Sequence, residues 1–400
     1  MAQTDPGVIP ASPYREEPGT LQRDWALFTA LNFLFAFGFA IYSGVFQNFL
    51  RDRYGPAPLQ LGQLESLREV PGLLAALTAG TLAALAESRV AALGLLLTGV
   101  GIALTGDMPG YFPLVGITVL WSVGFHLWAA VSPAITLALA KGVEGGRHLG
   151  RMSAVGALAT LVALGVSSLT ARLAPGLSYR HYFYAGGLCI GLAALLCMVL
   201  SHHAAGAPRA RLIFRRDYGL YYLLTFLDGC RRQIFSIFAS FTLIAVYRAP
   251  LSAMLLLQFF SALLAAMTAP AIGRLIDRVG ERRPLIFYSA TLIAIFAGYA
   301  TMRHREFLYA LFVIDRVLFN FSVGYTTYLH RIARPNELTP CVSMGVTMNH
   351  IAAVTVPFLG AYLWQTTANH QLPFWIGILV AGISLQAHYR LPPRHPAPAV

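Results

Sequence analysis

The chain has 400 residues, of which 56% are hydrophobic and 12% charged, with a mean hydropathy of +0.61. A soluble domain carries about 25% charged residues, so a soluble globular protein is excluded. The net charge of +12 comes from arginines set mainly at the ends of apolar runs, without the basic and aromatic patch that a phosphate backbone needs. The partner it implies is therefore the lipid bilayer, not nucleic acid.

Residues 1–24 are polar, Pro-rich and of mixed charge, with no apolar core before a small-residue cleavage site, and read as a cytoplasmic tail, not a signal peptide. A membrane-spanning helix needs about 20 mainly apolar residues. Such runs are predicted at 25–50, 59–86, 90–106, 111–140, 151–173 and 182–200, then at 218–246, 251–272, 285–302, 307–329, 342–366 and 372–389. The polar stretch 202–217 reads as a cytoplasmic linker between a first six-helix bundle (25–201) and a second (218–390), and 391–400 reads as a cytoplasmic tail. The fold class expected is all-α: a polytopic membrane protein of twelve transmembrane helices in two pseudo-symmetric six-helix bundles. With the N-terminus inside, 18 of the 29 Lys and Arg fall in inner segments, 7 in outer loops and four within spans, which puts both termini in the cytoplasm. The four cysteines lack C-x-x-C spacing and read as small buried hydrophobes.

Charges at membrane depth are costly and face a partner or a water-filled cavity. In the seventh span Asp228 lies one turn before Arg231 and Arg232, on their helix face, and one acid beside two cations leaves a positive charge for a substrate anion or a borrowed acid. In the tenth span Asp315 and Arg316 are adjacent and point about 100° apart, so each needs a partner on another helix or in a cavity. In the second span Arg68 and Glu69 precede Pro71, which frees the Leu67 carbonyl and kinks the helix. Arg231, Arg232 and Arg316 are thus candidate anion-binding residues, and Asp228, Asp315 or Glu69 candidate proton carriers. A network that only glues helices together is the competing reading.

His126 in the fourth span and His350 in the eleventh titrate in a range suited to proton coupling, although a lone intramembrane imidazole also serves simply as a packing residue. Asn32, Tyr42 and Gln47 in the first span, Asn320, Tyr325 and Tyr328 in the tenth, and Asn349 can line a cavity or join helices. No metal site is expected, because no His has a His, Asp or Glu partner at i,i+4 within one span, and no cofactor is implied. An enzyme is not expected either: G-x-S-x-G, H-E-x-x-H and a phosphate-cradling Gly-Lys-Ser/Thr loop are all missing, and Lys141 is the only lysine.

Between the eighth and ninth spans stands Gly273-x-x-x-Asp277-Arg278-x-Gly280-x-Arg282-Arg283-Pro284, whose glycines suit a tight turn and whose proline suits the first turn of the returning helix. This loop resembles the signature loop of the major facilitator superfamily of transporters, and the six-plus-six pattern carries the resemblance along the whole chain. The resemblance implies two six-helix domains rocking about a central cavity. Spans one, four, seven and ten would line it, and spans two, five, eight and eleven would form the interface between halves. It also implies that Gly273, Asp277, Arg278, Gly280, Arg282 and Arg283 form a conformational latch. The counterpart at 80–89 keeps an acid and an Arg but not the spacing, so latching leans on the second half. The fifth span lacks the proline of many family antiporters, which weakens an analogy with drug/proton antiport.

The function expected is secondary active transport of a small organic solute, anionic or zwitterionic, by a monomer in a bacterial cytoplasmic membrane with H⁺ as coupling ion. Tyr325 and Asn349 join the three arginines as expected substrate contacts; Arg68, Glu69, His126, His350, Asp228 and Asp315 form the expected proton-coupling or charge network. On this reading Arg231→Ala abolishes transport and leaves folding intact. The alternatives are a multidrug or metabolite exporter with an apolar aromatic cavity, and a non-transporting membrane sensor.

Overall fold

A computed structural model describes residues 19–77, 87–140, 144–200, 214–334 and 337–393. Residues 80–86 of the 80–89 counterpart of the signature loop, most of the 202–217 linker and most of both tails lie outside the described residues. The first six helices are α1 (Thr20–Arg53), α2 (Pro58–Leu77), α3 (Glu87–Leu104), α4 (Tyr111–Leu139), α5 (Gly145–Leu173) and α6 (Tyr179–Met198). The second six are α7 (219–246), α8 (Leu251–Val279), α9 (Arg282–Thr301), α10 (Arg305–Ile332), α11 (Leu338–Thr367) and α12 (Leu372–Tyr389). Among the described residues ten of these are long and apolar enough to cross a membrane. The two that fall short, α2 and α7, carry the charged residues Glu65, Arg68 and Glu69, and Asp228, Arg231 and Arg232. In hydrocarbon every backbone polar group must find an internal partner, which is why apolar runs of this length become helices.

Outward-facing stripes meet lipid. On α5, Leu158, Val162, Val166, Leu169 and Leu173 recur every three or four residues and are all exposed, as are Leu188, Leu192, Leu195 and Val199 along the line of α6. Inside the first half, helices approach through glycines: a Cβ on Gly38 of α1 would meet the Gly186 carbonyl of α6, and one on Gly124 of α4 would meet the Gly94 carbonyl of α3. Between the halves, α2 lies along α11 and α5 along α8.

Several elements differ from the sequence expectation. The span predicted to stop at 272 runs on to Val279, so Gly273, Asp277 and Arg278 are helical and the turn is reduced to Gly280 and Glu281. Charged side chains do not end a helix that has left the hydrocarbon, whereas Gly280 at φ +78° does. In that short turn Glu281, not singled out from sequence, is buried and pairs with Arg331 at the far end of α10 at 3.2 Å.

Two helices read as continuous are internally broken. α7 is α-helical over Gly219–Gln233 and then π-helical over Ile234–Ala239 and Thr242–Val246. The Ser236 hydroxyl donates to the Arg232 carbonyl at 2.8 Å, where the helical amide would otherwise bond. α10 tightens to a 3₁₀ turn at Phe319–Ser322, where Asn320 donates to the Ala265 carbonyl of α8 at 2.8 Å. Neither break has a proline to announce it. π-bulges of this kind gather at functional sites, and both breaks come within a turn or so of an intramembrane arginine.

Candidate functional site

A cavity of about 590 Å³ lies between the two halves. Toward the end of the bundle that carries the 54–57, 247–250 and 368–371 connections, hydrogen bonds join the halves. Asn48 donates to the Ala249 carbonyl at 3.2 Å, Arg51 to that of Ile244 at 3.0 Å, and Gln258 to that of Gly44 at 3.3 Å. At the same end the Leu59 amide donates to Gln365 at 3.0 Å.

One wall is aromatic. Phe39, Tyr42 and Phe46 recur at helical spacing on α1, and the first two meet Trp121 and Phe125 of α4. Phe39 stacks on Phe125 with ring centroids 4.9 Å apart, and Tyr42 meets Trp121 edge-on at 5.0 Å. The facing wall is mixed: Ser236 from the first π segment of α7 and Ser240 from between its two π segments, Gln258 and Ser261 from α8, and Arg316 and Phe319 from α10. Among the described residues no carboxylate lies within 4.0 Å of Arg316, whose guanidinium instead sits 5.5 Å from the Phe312 ring.

The α2 side of the cavity is polar and densely bonded. Gln47 donates to Glu65 at 3.0 Å, and Arg68 lies 2.7 Å from Glu65 and 3.2 Å from Glu69. One guanidinium therefore serves two acids, and with both ionised the group carries a surplus negative charge. Ser122 of α4 donates its hydroxyl to the Arg68 carbonyl, beside the Pro71 interruption. His126 Nδ1 is 2.8 Å from the Ser122 carbonyl, which can only accept, so Nδ1 holds the proton. His350 of α11 brings Nδ1 to 3.4 Å from Glu69, and its ring centroid is 5.2 Å from that of His126.

The α7/α10 charges form a second group outside this cavity. Arg231 donates to both oxygens of Asp315, at 3.0 and 3.2 Å, and lies 3.6 Å from Asp228. Arg232 reaches Asp228 at 3.2 Å and lies 4.4 Å from the Phe319 ring centroid. The Tyr288 hydroxyl of α9 donates to Asp228 at 3.0 Å. Asp315 thus finds its partner on another helix, and the acid that Arg231 needs is borrowed from α10.

Of the five residues expected to touch substrate, Arg316 alone lines the cavity. Arg231 is closed into the helix interface because two acids already neutralise it. Arg232 is paired to Asp228, and Tyr325 is buried with its hydroxyl 3.2 Å from His388 Nε2. Asn349 donates to the Gly345 carbonyl at 3.3 Å and packs over Gly229 of α7. From the expected charge network Arg68, Glu69, His126 and His350 line the cavity, whereas Asp228 and Asp315 do not. Tyr42 and Gln47 line it as well; Asn32 instead bonds back to the Phe28 carbonyl at 2.8 Å.

Sequence reasoning passed over Glu65, Ser122 and His388. Glu65 stands at i−3 from Arg68, a spacing that could have flagged it. The last of these is clasped between Ser289, at 2.9 Å, and Tyr325, and no spacing within one helix marks it.

A sequence model described as Major Facilitator Superfamily matches residues 28–325 and 221–400. Comparison with curated proteins finds no significant match. Among solved structures, a mutant of the nucleoside transporter NupG superposes with a TM-score of 0.77 at 12% identity, covering 92% of this chain and 99% of that one. A bacterial homologue of the iron transporter ferroportin, in an inward-facing state, gives 0.73 at 14% identity over 93% and 99%. The xylose transporter XylE from E. coli, inward open, gives 0.72 at 13% identity over 93% and 96%. At such identities the structures speak for the fold alone, and the sequence match spans nearly the whole chain: the protein belongs to the Major Facilitator Superfamily and is a multi-pass membrane transporter.

Proposed function

We propose that the protein is a secondary active transporter of a small organic zwitterion or anion, coupled to H⁺. The observation that carries this reading is the charge arrangement across the cavity. Arg316 stands on one wall with no carboxylate among the described residues within 4.0 Å, and the Glu65–Arg68–Glu69 group opposite holds an excess of acid. A solute whose anionic group meets Arg316 and whose cationic or hydrogen-bonding group turns to α2 complements both, with its apolar body against Phe39, Tyr42 and Phe125. A pocket that is mostly apolar with a few placed polar groups is the usual form of a small-molecule site. The coupling proton is assigned to Glu65, which shares its one cation with Glu69.

Arg231, Arg232, Asp228 and Asp315 are assigned to holding α7 and α10 in register; Gly273, Asp277, Arg278, Gly280, Arg282 and Arg283 keep the latch role. With the basic excess on the termini side placed in the cytoplasm of a bacterial cell, the hydrogen-bonded end at Asn48 and Arg51 faces outward and the state is inward-facing. The protein is taken to act as a monomer, with division into helices 25–201 and 218–390 about the 202–217 linker.

The test is a melting-temperature screen of detergent-purified protein with panels of zwitterions, anions, cations and neutral amphiphiles, since a ligand for the folded state stabilises it by mass action. Zwitterions or anions are expected to stabilise the parent and not Arg316→Gln. A second reading has its own observation: the α1/α4 aromatic wall suits apolar compounds in an exporter. Stabilisation by lipophilic cations or neutral amphiphiles alone, unchanged in Arg316→Gln, replaces the first reading with that one.

A further inference from the structure

The geometry points to a binding site for a divalent transition-metal ion of the Zn²⁺ class, formed by Glu69, His126 and His350, that clamps the two halves together. It does not depend on which solute the cavity carries. Among the described residues this is the one group of three such side chains whose ligand atoms all lie within 4.8 Å of one another. The three come from three helices: α2 and α4 of the first half and α11 of the second.

The surroundings orient all three toward a common point. A Cβ on Gly72 would overlap both His126 Nε2 and His350 Cε1, so the two rings meet over the backbone of one residue. His126 gives its Nδ1 proton to the Ser122 carbonyl at 2.8 Å, which leaves the Nε2 lone pair turned to His350. Fixing one ring nitrogen on a carbonyl is how metal-bound histidines are held. Arg68 binds Glu69 through Oε1 at 3.2 Å and is itself matched by Glu65 at 2.7 Å, so the other oxygen and a net negative charge remain available. His350 Nδ1 lies 3.4 Å from that Oε2, buried, with no hydrogen bond.

Two imidazoles and a carboxylate are a Zn²⁺ donor set, with the fourth position open to the cavity for water or a solute group. Bonds of about 2.0 Å bring neighbouring donors to about 3.3 Å apart, so side-chain rotation has to draw the group inward. Alternating access moves α11 relative to α2 and α4, so an ion held by all three opposes the change of state.

The test uses chelator-treated, detergent-purified full-length protein titrated with ZnCl₂, with MgCl₂ as the hard-cation control. Expected are one Zn²⁺ per chain, a rise in melting temperature that MgCl₂ does not give, and slower transport by reconstituted protein. His350→Gln and His126→Ala should weaken binding by more than the about 10–100-fold that loss of an outer-shell partner costs, with His370→Ala as an unaffected control. Equal stabilisation of these variants, or none of the parent, overturns the site. If the variants fail to fold, Co²⁺ added to the parent decides the matter. A tetrahedral visible band without thiolate charge transfer supports the site, and thiolate charge transfer or no band sinks it.

Discussion

Arg231 of α7 and Asp315 of α10, 84 residues apart in sequence, form a two-bond ion pair at 3.0 and 3.2 Å with both side chains 3% exposed. Breaking a buried pair by removing one partner costs about 3–5 kcal/mol, because the other charge is left uncompensated. Arg231→Ala and Asp315→Ala should each lower the melting temperature strongly and reduce the yield of folded protein. Arg231→Met with Asp315→Leu should do less damage than either single change. The sequence alone suggested that Arg231→Ala would stop transport in an intact fold. A variant that melts like the parent and cannot transport would restore that reading.

Arg316 gives the opposite balance. It is half-buried, on the cavity wall, and tied to no acid among the described residues within 4.0 Å, so Arg316→Gln is expected to leave the melting temperature of the unliganded protein nearly unchanged. A hydrogen bond to a charged group is worth about 1.5–3 kcal/mol, so affinity for an anionic solute should fall about tenfold to a hundredfold. Arg316→Lys, which keeps the charge and loses the fork, should fall between the two. Solute-dependent stabilisation or counterflow measures all three.

Coupling is tested at Glu65. Glu65→Gln keeps the hydrogen bond to Gln47 and removes the exchangeable proton. Solute exchange between loaded and unloaded proteoliposomes is expected to survive, while accumulation driven by an inward pH gradient is lost. Accumulation at the parental level would move the proton to another group or remove it from the cycle.

The spans were legible because one quantity, the length of an apolar run, is set by the thickness of the bilayer. The intramembrane charges were legible because they are rare. What spacing could not give was which face of a helix looks into the cavity. Asp228, Arg231 and Arg232 share a face by arithmetic, but only the packing of α10 and α9 against it decides that Asp228 and Arg231 are shut in while the Arg232 side chain stays 42% exposed. His126 and His350 each read as a lone imidazole because the residue that completes each of them lies more than 200 positions away. At the breaks in α7 and α10, Ser236 bonds the Arg232 carbonyl of its own helix and Asn320 the Ala265 carbonyl of α8, contacts that no Gly or Pro marks in the sequence.

The hydrogen-bonded end of the cavity makes a prediction about state. Asn48 and Arg51 each hold a carbonyl of the opposite half, and a hydrogen bond contributes about 1 kcal/mol net. Removing both in Asn48→Ala with Arg51→Ala should shift the equilibrium between the two states by about tenfold or more. A cysteine placed at Ser240 should then be labelled faster by an impermeant thiol reagent added on that side. Labelling at the parental rate would mean that apolar packing, and not these bonds, closes that end.

Two glycines separate packing from propensity, because the same substitution should act with opposite sign at each. At Gly72 of α2 a methyl group would run into the rings of both His126 and His350. At Gly116 of α4, on the exposed face, an added Cβ meets nothing within 4 Å. Overpacking a close contact costs about 1–3 kcal/mol, whereas Gly→Ala in an unobstructed helix gains up to about 1 kcal/mol. Gly116→Ala should therefore raise the melting temperature slightly and leave transport alone. Gly72→Ala should lower it, because α2 must move off α11 or the imidazoles must leave the backbone they rest on. A neutral result at Gly72 would show that the rings yield freely, and with that their fixed approach to Glu69 would be lost as an argument.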